Sequence, residues 1–150
     1  MEESRHRFGI ILEFIAKRTY KNYCDLLESS RWRKLAQAGA LPQRLLWGST
    51  GTKDPAAPDT LYVQELAAPE TINTIPEKTL LAFADHGQVQ GVMRRDGGDA
   101  EQVLAEIARA GIDVAALAVE LQREGAEAFN KSWHDLMVCI PSKSESLRVS

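Results

Sequence analysis

The hydrophobic pattern of the first forty residues predicts two helices. Apolar side chains recur at helical spacing over residues 8–28, from Phe8 to Leu27, with most charged residues off that stripe. Two serines then interrupt the pattern. A short second helix around Trp32 is expected to end at Gly39, because glycine commonly follows the last turn of a helix.

The middle of the chain changes to short apolar runs that are separated by turn residues. Two such runs, Arg44–Trp47 and Thr71–Thr74, are typical of parallel strands that are covered on both faces. Glycine and proline mark residues 48–59 as a loop, and Asp59 is a plausible N-cap for a helix over 60–67. A further helix is predicted from Pro76 to Asp85, ending at Gly87, with a polar, glycine-rich connector over 88–99.

The last third of the chain predicts three more helices. Gly111 is expected to close the first of them, and Asp113 to cap the second. Gly125 is expected to end the second helix and Pro141 the third, with a frayed tail beyond. The order of elements therefore predicts a helix-rich α/β chain.

Composition narrows the function less than the pattern does. The 150 residues carry a net charge of −3, with nine Lys/Arg against five Asp/Glu in residues 1–44 and nine against sixteen afterwards. The basic residues of the first part are scattered and accompany no recognition motif, so we expect no nucleic-acid partner. No run approaches the roughly 20 apolar residues of a membrane span, and residues 1–7 do not resemble a secretory signal. We therefore expect a cytoplasmic protein without a membrane partner.

The two cysteines, Cys24 and Cys139, lie in apolar helical patterns. Two widely separated cysteines do not make a disulfide framework, so both are expected to be buried and reduced. We find no metal-ligand cluster, no cofactor motif and no Ser/His/Asp or Cys/His set. The sequence thus predicts no metal, no cofactor and no catalytic residue.

The loop over 48–53, Gly-Ser-Thr-Gly-Thr-Lys, holds the candidate chemistry. It is not a nucleotide-binding phosphate loop, because Lys53 is followed by an aspartate and the glycine spacing differs. Small residues let a ligand approach the backbone, hydroxyls bind phosphate or sugar oxygens, and a lysine adds positive charge. An ordinary surface turn fits the same composition. Asn73 and Thr74 end the second predicted strand and are suited to a sugar hydroxyl, but Thr74 is equally suited to satisfying the next helix start.

Several segments closely resemble the carboxyl-terminal part of transaldolases, in the branch that also occurs fused to phosphoglucose isomerase. The segments are QRLLWGSTGTKDP at 43–55, LYVQEL at 61–66, APETINTIP at 68–76 and DHG at 85–87. IAKRTY at 15–20 and Trp32 look like the family's preceding helix, and AGID at 110–113 and FNKSW at 129–133 look like its terminal helices. The resemblance covers residues 15–146. It leaves residues 1–14 as an unmatched extension and 147–150 as a tail.

The resemblance implies a fold and an activity. Transaldolases are (β/α)8 TIM barrels that move a dihydroxyacetone unit between sugar phosphates in the pentose phosphate pathway, through a Schiff base on a lysine of an inner strand. Residues 44–49 then resemble the seventh strand and 71–74 the eighth, so the chain corresponds to the C-terminal portion of the barrel, about two βα units plus helices. Sugar phosphates are the implied partners, and the candidate substrate- or phosphate-binding residues are Ser49, Thr50, Lys53, Asn73 and Thr74.

The family's Schiff-base lysine and its acid/base carboxylates lie upstream of every matched segment. We therefore expect that these 150 residues do not catalyse transfer alone, and that they self-associate or bind a complementing barrel half. A barrel of this type takes about 250 residues. Two interpretations stay open: a segment of a transaldolase, and a non-catalytic module that binds sugar phosphates or another protein.

Overall fold

The computed structural model describes residues 2–52 and 54–148, and the side chains among residues 12–145 and at Leu147. The chain divides into two compact units, residues 1–106 and 107–150. Eight elements run in the order α1 (Glu2–Glu28), α2 (Ser30–Gln37), β1 (Leu45–Trp47), α3 (Leu61–Glu65), β2 (Thr71–Asn73), α4 (Glu77–His86), α5 (Ala100–Arg109) and α6 (Val114–Arg148).

Ser29 separates the first two helices, as the sequence predicts. Its hydroxyl donates to the Leu26 carbonyl of α1 at 2.7 Å and accepts from the Trp32 amide of α2 at 3.2 Å. Gly39 follows α2 with a φ of 92°, the left-handed conformation that glycine adopts without strain. Each of these two helix boundaries therefore follows from the local chemistry of a single residue.

The two predicted strands form a two-stranded parallel sheet in which Leu46 lies opposite Ile72 and Trp47 opposite Asn73. Side chains alternate between the faces of a strand. Trp47 is buried on one face, whereas Leu46 and Ile72 are 52% and 41% exposed on the other. One face of the sheet is therefore covered within this unit and the other is bare.

The covered face packs against α1. Tyr20 and Cys24 of α1 form the buried core with Trp47 of β1 and Met93 of the segment that follows α4. The Met93 amide donates to the Ala67 carbonyl at 2.7 Å, which fixes that segment beside the chain entering β2. The connector predicted over 88–99 thus contributes a core residue.

The sequence predictions are wrong about one helix cap, the ends of two helices and the burial of one cysteine. Asp59 does not cap α3: Thr60 occupies that position, and its side chain makes no cap hydrogen bond. Gly125 and Pro141 do not divide the last stretch, because α6 runs through both. One glycine or proline lowers the stability of a helix, but the helix still forms where the flanking residues favour it strongly enough. Cys24 is buried but Cys139 is exposed, and both are free thiols.

The start of α6 is as predicted. The Asp113 carboxylate accepts from the amides of Ala115 and Ala116 at 2.9 and 3.0 Å, an N-cap contact. No helix in the described part of the chain is long and apolar enough to cross a membrane.

Candidate functional site

The carboxyl ends of β1 and β2 meet at one edge of the sheet, and four of the five candidate residues lie there. Ser49 and Thr50 follow β1, Asn73 ends β2 and Thr74 comes next. Parallel strands place their carboxyl ends at the same edge, which is where α/β proteins bind ligands. Lys53 lies outside the described residues.

A buried hydrogen bond joins the two strand ends. The Thr50 hydroxyl is 2% exposed and donates to the Asn73 amide oxygen at 2.7 Å. Because the oxygen of that amide accepts from Thr50, its NH₂ group remains the end that can donate to another partner. The contact therefore holds Asn73 in one orientation.

Thr74 extends the strand pairing and does not cap α4. Its amide and its hydroxyl both donate to the Trp47 carbonyl, at 3.0 and 3.2 Å. The N-cap position of α4 is Pro76, which has no side-chain cap. Of the two roles that the sequence left open for Thr74, satisfying the helix start is the one not observed.

Ser49 has an unusual backbone conformation. Its φ is 58°, a left-handed value that costs a residue with a β-carbon roughly 1–2 kcal/mol. Its side chain is exposed at the sheet edge. Left-handed non-glycine residues concentrate where a backbone direction matters for binding or catalysis.

The loop between β1 and α3 is closed by its own hydrogen bonds. The Asp54 carboxylate accepts from the Ala56 amide at 2.9 Å, and the Thr52 hydroxyl donates to the Asp59 carbonyl at 3.3 Å. Gly51 approaches α4 closely, since a β-carbon there would lie 3.3 Å from the Pro76 ring and 3.5 Å from the Thr79 hydroxyl. The loop therefore rests on α4.

A cavity of about 550 Å³ lies between α1, the end of β1 and α3. Its walls are largely apolar, including Leu12 and Ile15 of α1 and Leu61 and Tyr62 of α3. The charged side chains described along it are three carboxylates, Glu13, Asp54 and Glu65. Ser49 and Thr50 also line this cavity, so it adjoins the strand-end residues, and its three carboxylates repel a phosphate inside it.

His86 ends α4, and the sequence did not predict its side-chain contacts. The ring bonds the Asp59 carboxylate through Nε2 at 2.9 Å and the Asp85 carboxylate through Nδ1 at 3.2 Å. The bond to Asp59 is the largest cause that raises the pKa of His86, followed by the bond to Asp85, and the same contact lowers the pKa of Asp59. The signal was the motif DHG at 85–87, which the sequence left without a chemical role.

The described residues include no group of three or more His, Cys, Asp or Glu side chains that is arranged to hold a metal ion. The chemistry of the sheet edge is therefore that of hydroxyls, an amide and backbone groups. Such an arrangement orients a polyhydroxylated or anionic ligand by hydrogen bonding.

Two parallel strands that are connected through a helix, with polar residues beyond their carboxyl ends, define an α/β protein built from strand–helix units. The sequence model of the family described as Transaldolase/Fructose-6-phosphate aldolase matches residues 9–140. The chain belongs to this family.

Relatives named transaldolase are similar along most of the chain. The protein from Frankia alni is 49% identical over 126 residues, which are 83% of this chain and 34% of that protein. The protein from Parafrankia is 50% identical over the same shares, and that from Acidothermus cellulolyticus is 46% identical over 134 residues, 89% of this chain and 36% of the relative. The chain thus spans about a third of the length of these relatives.

Proposed function

We propose that these residues form the closing part of a transaldolase barrel and hold a sugar phosphate at the carboxyl ends of its last two strands. The observation that carries this proposal is the shared edge at which Ser49, Thr50, Asn73 and Thr74 lie. In this assignment Ser49 contacts a substrate hydroxyl and Lys53 the phosphate, while Asn73 and Thr74 line the rim of the site.

We further propose that the chain alone does not form the Schiff base. Neither strand contains a lysine, and each lysine that the structure describes lies on a helix: Lys17, Lys21, Lys34, Lys78, Lys131 and Lys143. A nucleophilic amine must be neutral, which requires a lowered pKa.

Two of these amines are shifted the other way. Burial opposes the charge of Lys17, but its ion pairs with Glu13, at 2.7 Å, and Asp99 outweigh burial and raise its pKa. The hydrogen bond to Asp25 raises the pKa of Lys21. Both side chains are therefore held protonated, which supports their exclusion as Schiff-base amines.

The exposed face of the sheet supports the proposal that other protein surface covers it. Leu46 and Ile72 are exposed there, and both outer edges of the two-stranded sheet lack a described strand. Edges and apolar faces of this kind favour pairing with further strands. We propose that these surfaces are covered by the other barrel strands, from the same polypeptide or another one, or by a second copy of the chain.

Borohydride trapping with fructose 6-phosphate tests the catalytic part of the proposal. We expect mass spectrometry to show no covalent adduct on the 150-residue chain, and an adduct on a full-length transaldolase treated in parallel. A stable adduct on any lysine of this chain contradicts the proposal.

Ligand binding is tested separately by NMR titration of the same chain with fructose 6-phosphate. Shifts that concentrate at residues 48–54 and 73–74, and that weaken in Lys53→Gln, support the site. A matched control is Lys34→Gln on α2, which should leave the titration unchanged. Absence of any shift at the strand ends contradicts the site, whatever the result of trapping.

A further inference from the structure

His86 stands between two carboxylates that come from different parts of the fold. Asp85 is its neighbour at the end of α4, whereas Asp59 lies 27 residues earlier, in the loop that leads from β1 to α3. The ring nitrogens are 3.2 and 2.9 Å from the respective carboxylate oxygens. The side chains are about half exposed or more, so water and protons reach the cluster freely.

The geometry specifies the protonation state of the ring. An ionised carboxylate only accepts hydrogen bonds, and a neutral imidazole donates from one nitrogen only. Two carboxylate contacts, one at each nitrogen, therefore require a proton on both, which is the charged imidazolium. Loss of one proton turns one contact into a repulsion between lone pairs and removes the charge from the other, which weakens it.

The contact joins the loop to the far end of the helix that supports it. Near the start of α4, Gly51 lies against Pro76 and Thr79. At the other end, His86 bonds Asp59. Because ten helical residues span about 15 Å, α4 holds the loop at two widely separated points.

A hydrogen bond within the loop connects the contact with α4 to the sheet edge. The Asp59 carbonyl accepts from the Thr52 hydroxyl at 3.3 Å, which ties the far side of the loop to the residues just after Thr50. Asp59 thus bonds in both directions, with its side chain to α4 and with its backbone to Thr52.

The turn after His86 is built for close packing. A β-carbon on Gly87 would collide with the Phe83 ring and lie 2.6 Å from the Phe83 carbonyl oxygen. The Gly87 amide donates to that same carbonyl at 2.9 Å and closes the helix. Glycine at 87 therefore lets α4 end directly after the histidine.

We propose that His86, bonded to Asp59 of the β1–α3 loop and to Asp85 of its own helix, forms a pH-dependent clasp that fastens this loop to α4 and makes His86 a positioning residue for the loop. Its effect on a bound sugar phosphate rests on the proposed function. The clasp itself is a property of the protein without ligand and is tested without one.

The pH range of the clasp follows from both partners. The pKa of His86 lies above its ordinary value of 6.5, so its contribution is complete below 6.5 and is lost as pH rises through the folded-state pKa. The pKa of Asp59 lies below 3.8, so its contribution is present above 3.8 and is lost as pH falls through its lowered value. Asp85 faces the ring from its own helix, and Lys78, also on α4, acts on Asp59.

NMR of the full chain tests the clasp. The His86 ring is titrated in the wild type and in Asp59→Asn, and amide hydrogen exchange of residues 52–60 is measured across the same pH range and corrected for intrinsic rates. We expect a lower His86 pKa in Asp59→Asn. We also expect the protection of loop amides to fall about two- to five-fold as wild-type His86 deprotonates, the range that exposed ion pairs give.

Two substitutions separate a charge switch from a simple structural role. His86→Gln should lose the excess protection at every pH, whereas His86→Lys, which stays charged to about pH 10, should keep it above neutral pH. His134→Gln on α6 is the matched control and should behave as the wild type. Equal loop protection in wild type and His86→Gln at all pH values overturns the proposal, as does a His86 pKa that Asp59→Asn does not lower.

Discussion

At the residue scale, two residues that are not glycine have the same left-handed backbone conformation in different surroundings. Ser49 and Glu70 have φ values of 58° and 59°, and each lies next to a strand, Ser49 after β1 and Glu70 before β2. Only Ser49 belongs to the proposed site. The pair therefore offers a comparison in which the strain is matched and the chemistry differs.

We expect Ser49→Gly and Glu70→Gly each to raise the free energy of unfolding by about 0.5–1 kcal/mol, because relief of the left-handed strain exceeds the added entropy of the unfolded chain. Denaturant titration measures this change. Only Ser49→Gly should weaken fructose 6-phosphate binding, by roughly five-fold for one lost hydrogen bond. Equal weakening in both variants would mean that Ser49 acts through the backbone and not through its hydroxyl.

The site residues differ in how far the sequence reveals them. Glycine, hydroxyl and amide residues after two apolar runs fit an ordinary surface turn as well as a site, so Ser49, Thr50, Asn73 and Thr74 were predicted as site residues through the resemblance to transaldolases. The bond from Thr50 to Asn73 was not predictable, since it depends on the register of the two strands. Nor was the contact of His86 with Asp59, because 27 residues and two elements separate them.

At the element scale, α6 shows where local rules fail. Gly125 and Pro141 each disfavour a helix, yet the helix continues from Val114 to Arg148. Ion pairs between residues one turn apart stabilise the helix around the glycine. Arg123 pairs with Glu120 before Gly125 and with Glu127 across it, and Lys131 pairs with Asp135 after it. The sequence shows the loss of helix stability at each of these two residues, but not the total stability summed along α6.

Removing these two penalties should stabilise α6 unequally. Gly125→Ala is expected to add about 1 kcal/mol to helix stability, and Pro141→Ala about 3 kcal/mol, because alanine also restores a backbone donor. A β-carbon at Gly125 meets no described atom within 4 Å beyond the adjacent residues and the nearby backbone of its own helix, so packing does not confound the comparison. Amide exchange along residues 114–148 measures both, and a larger gain from Gly125→Ala would contradict the continuity of the helix at Pro141.

The strands and the segment after α4 are a second contrast. Each predicted strand has one end where the structure places it and the other end one residue too long. Short apolar runs that end in turn residues are a strong local signal. Met93 was expected on a polar connector, and it is buried instead. Val92 beside it is 62% exposed and the other neighbours are glutamine, glycine and arginine, so nothing local distinguishes Met93 from a surface residue.

At the scale of the whole molecule, the second unit exposes an apolar stripe. Phe129, Trp133, Leu136, Met137 and Ile140 recur at helical spacing, and Phe129 and Trp133 are 81% and 65% exposed. Exposed apolar stripes of this kind mark contacts with other protein surface. The proposed barrel partner, or a second copy of the chain, is expected to cover it.

Self-association of the isolated chain should therefore depend on that stripe. Sedimentation velocity is expected to show oligomers in the wild type and fewer in Phe129→Glu/Trp133→Glu. Val138→Glu/Ser142→Glu adds the same charge on the opposite side of α6 and should leave the oligomers intact. An equal effect of the two double variants would show that charge, and not the stripe, governs association.

The three tryptophans give the two units separate optical signals. Trp47 is buried in the first unit, and its indole nitrogen has no hydrogen-bond partner among the described residues. Trp32 is half-buried on α2, and Trp133 is largely solvated on α6. Indole emission shifts to the blue when the ring leaves water, so a Trp133→Phe variant isolates the first unit spectroscopically. Intrinsic fluorescence then reports on unfolding of the strand-bearing unit without an added label.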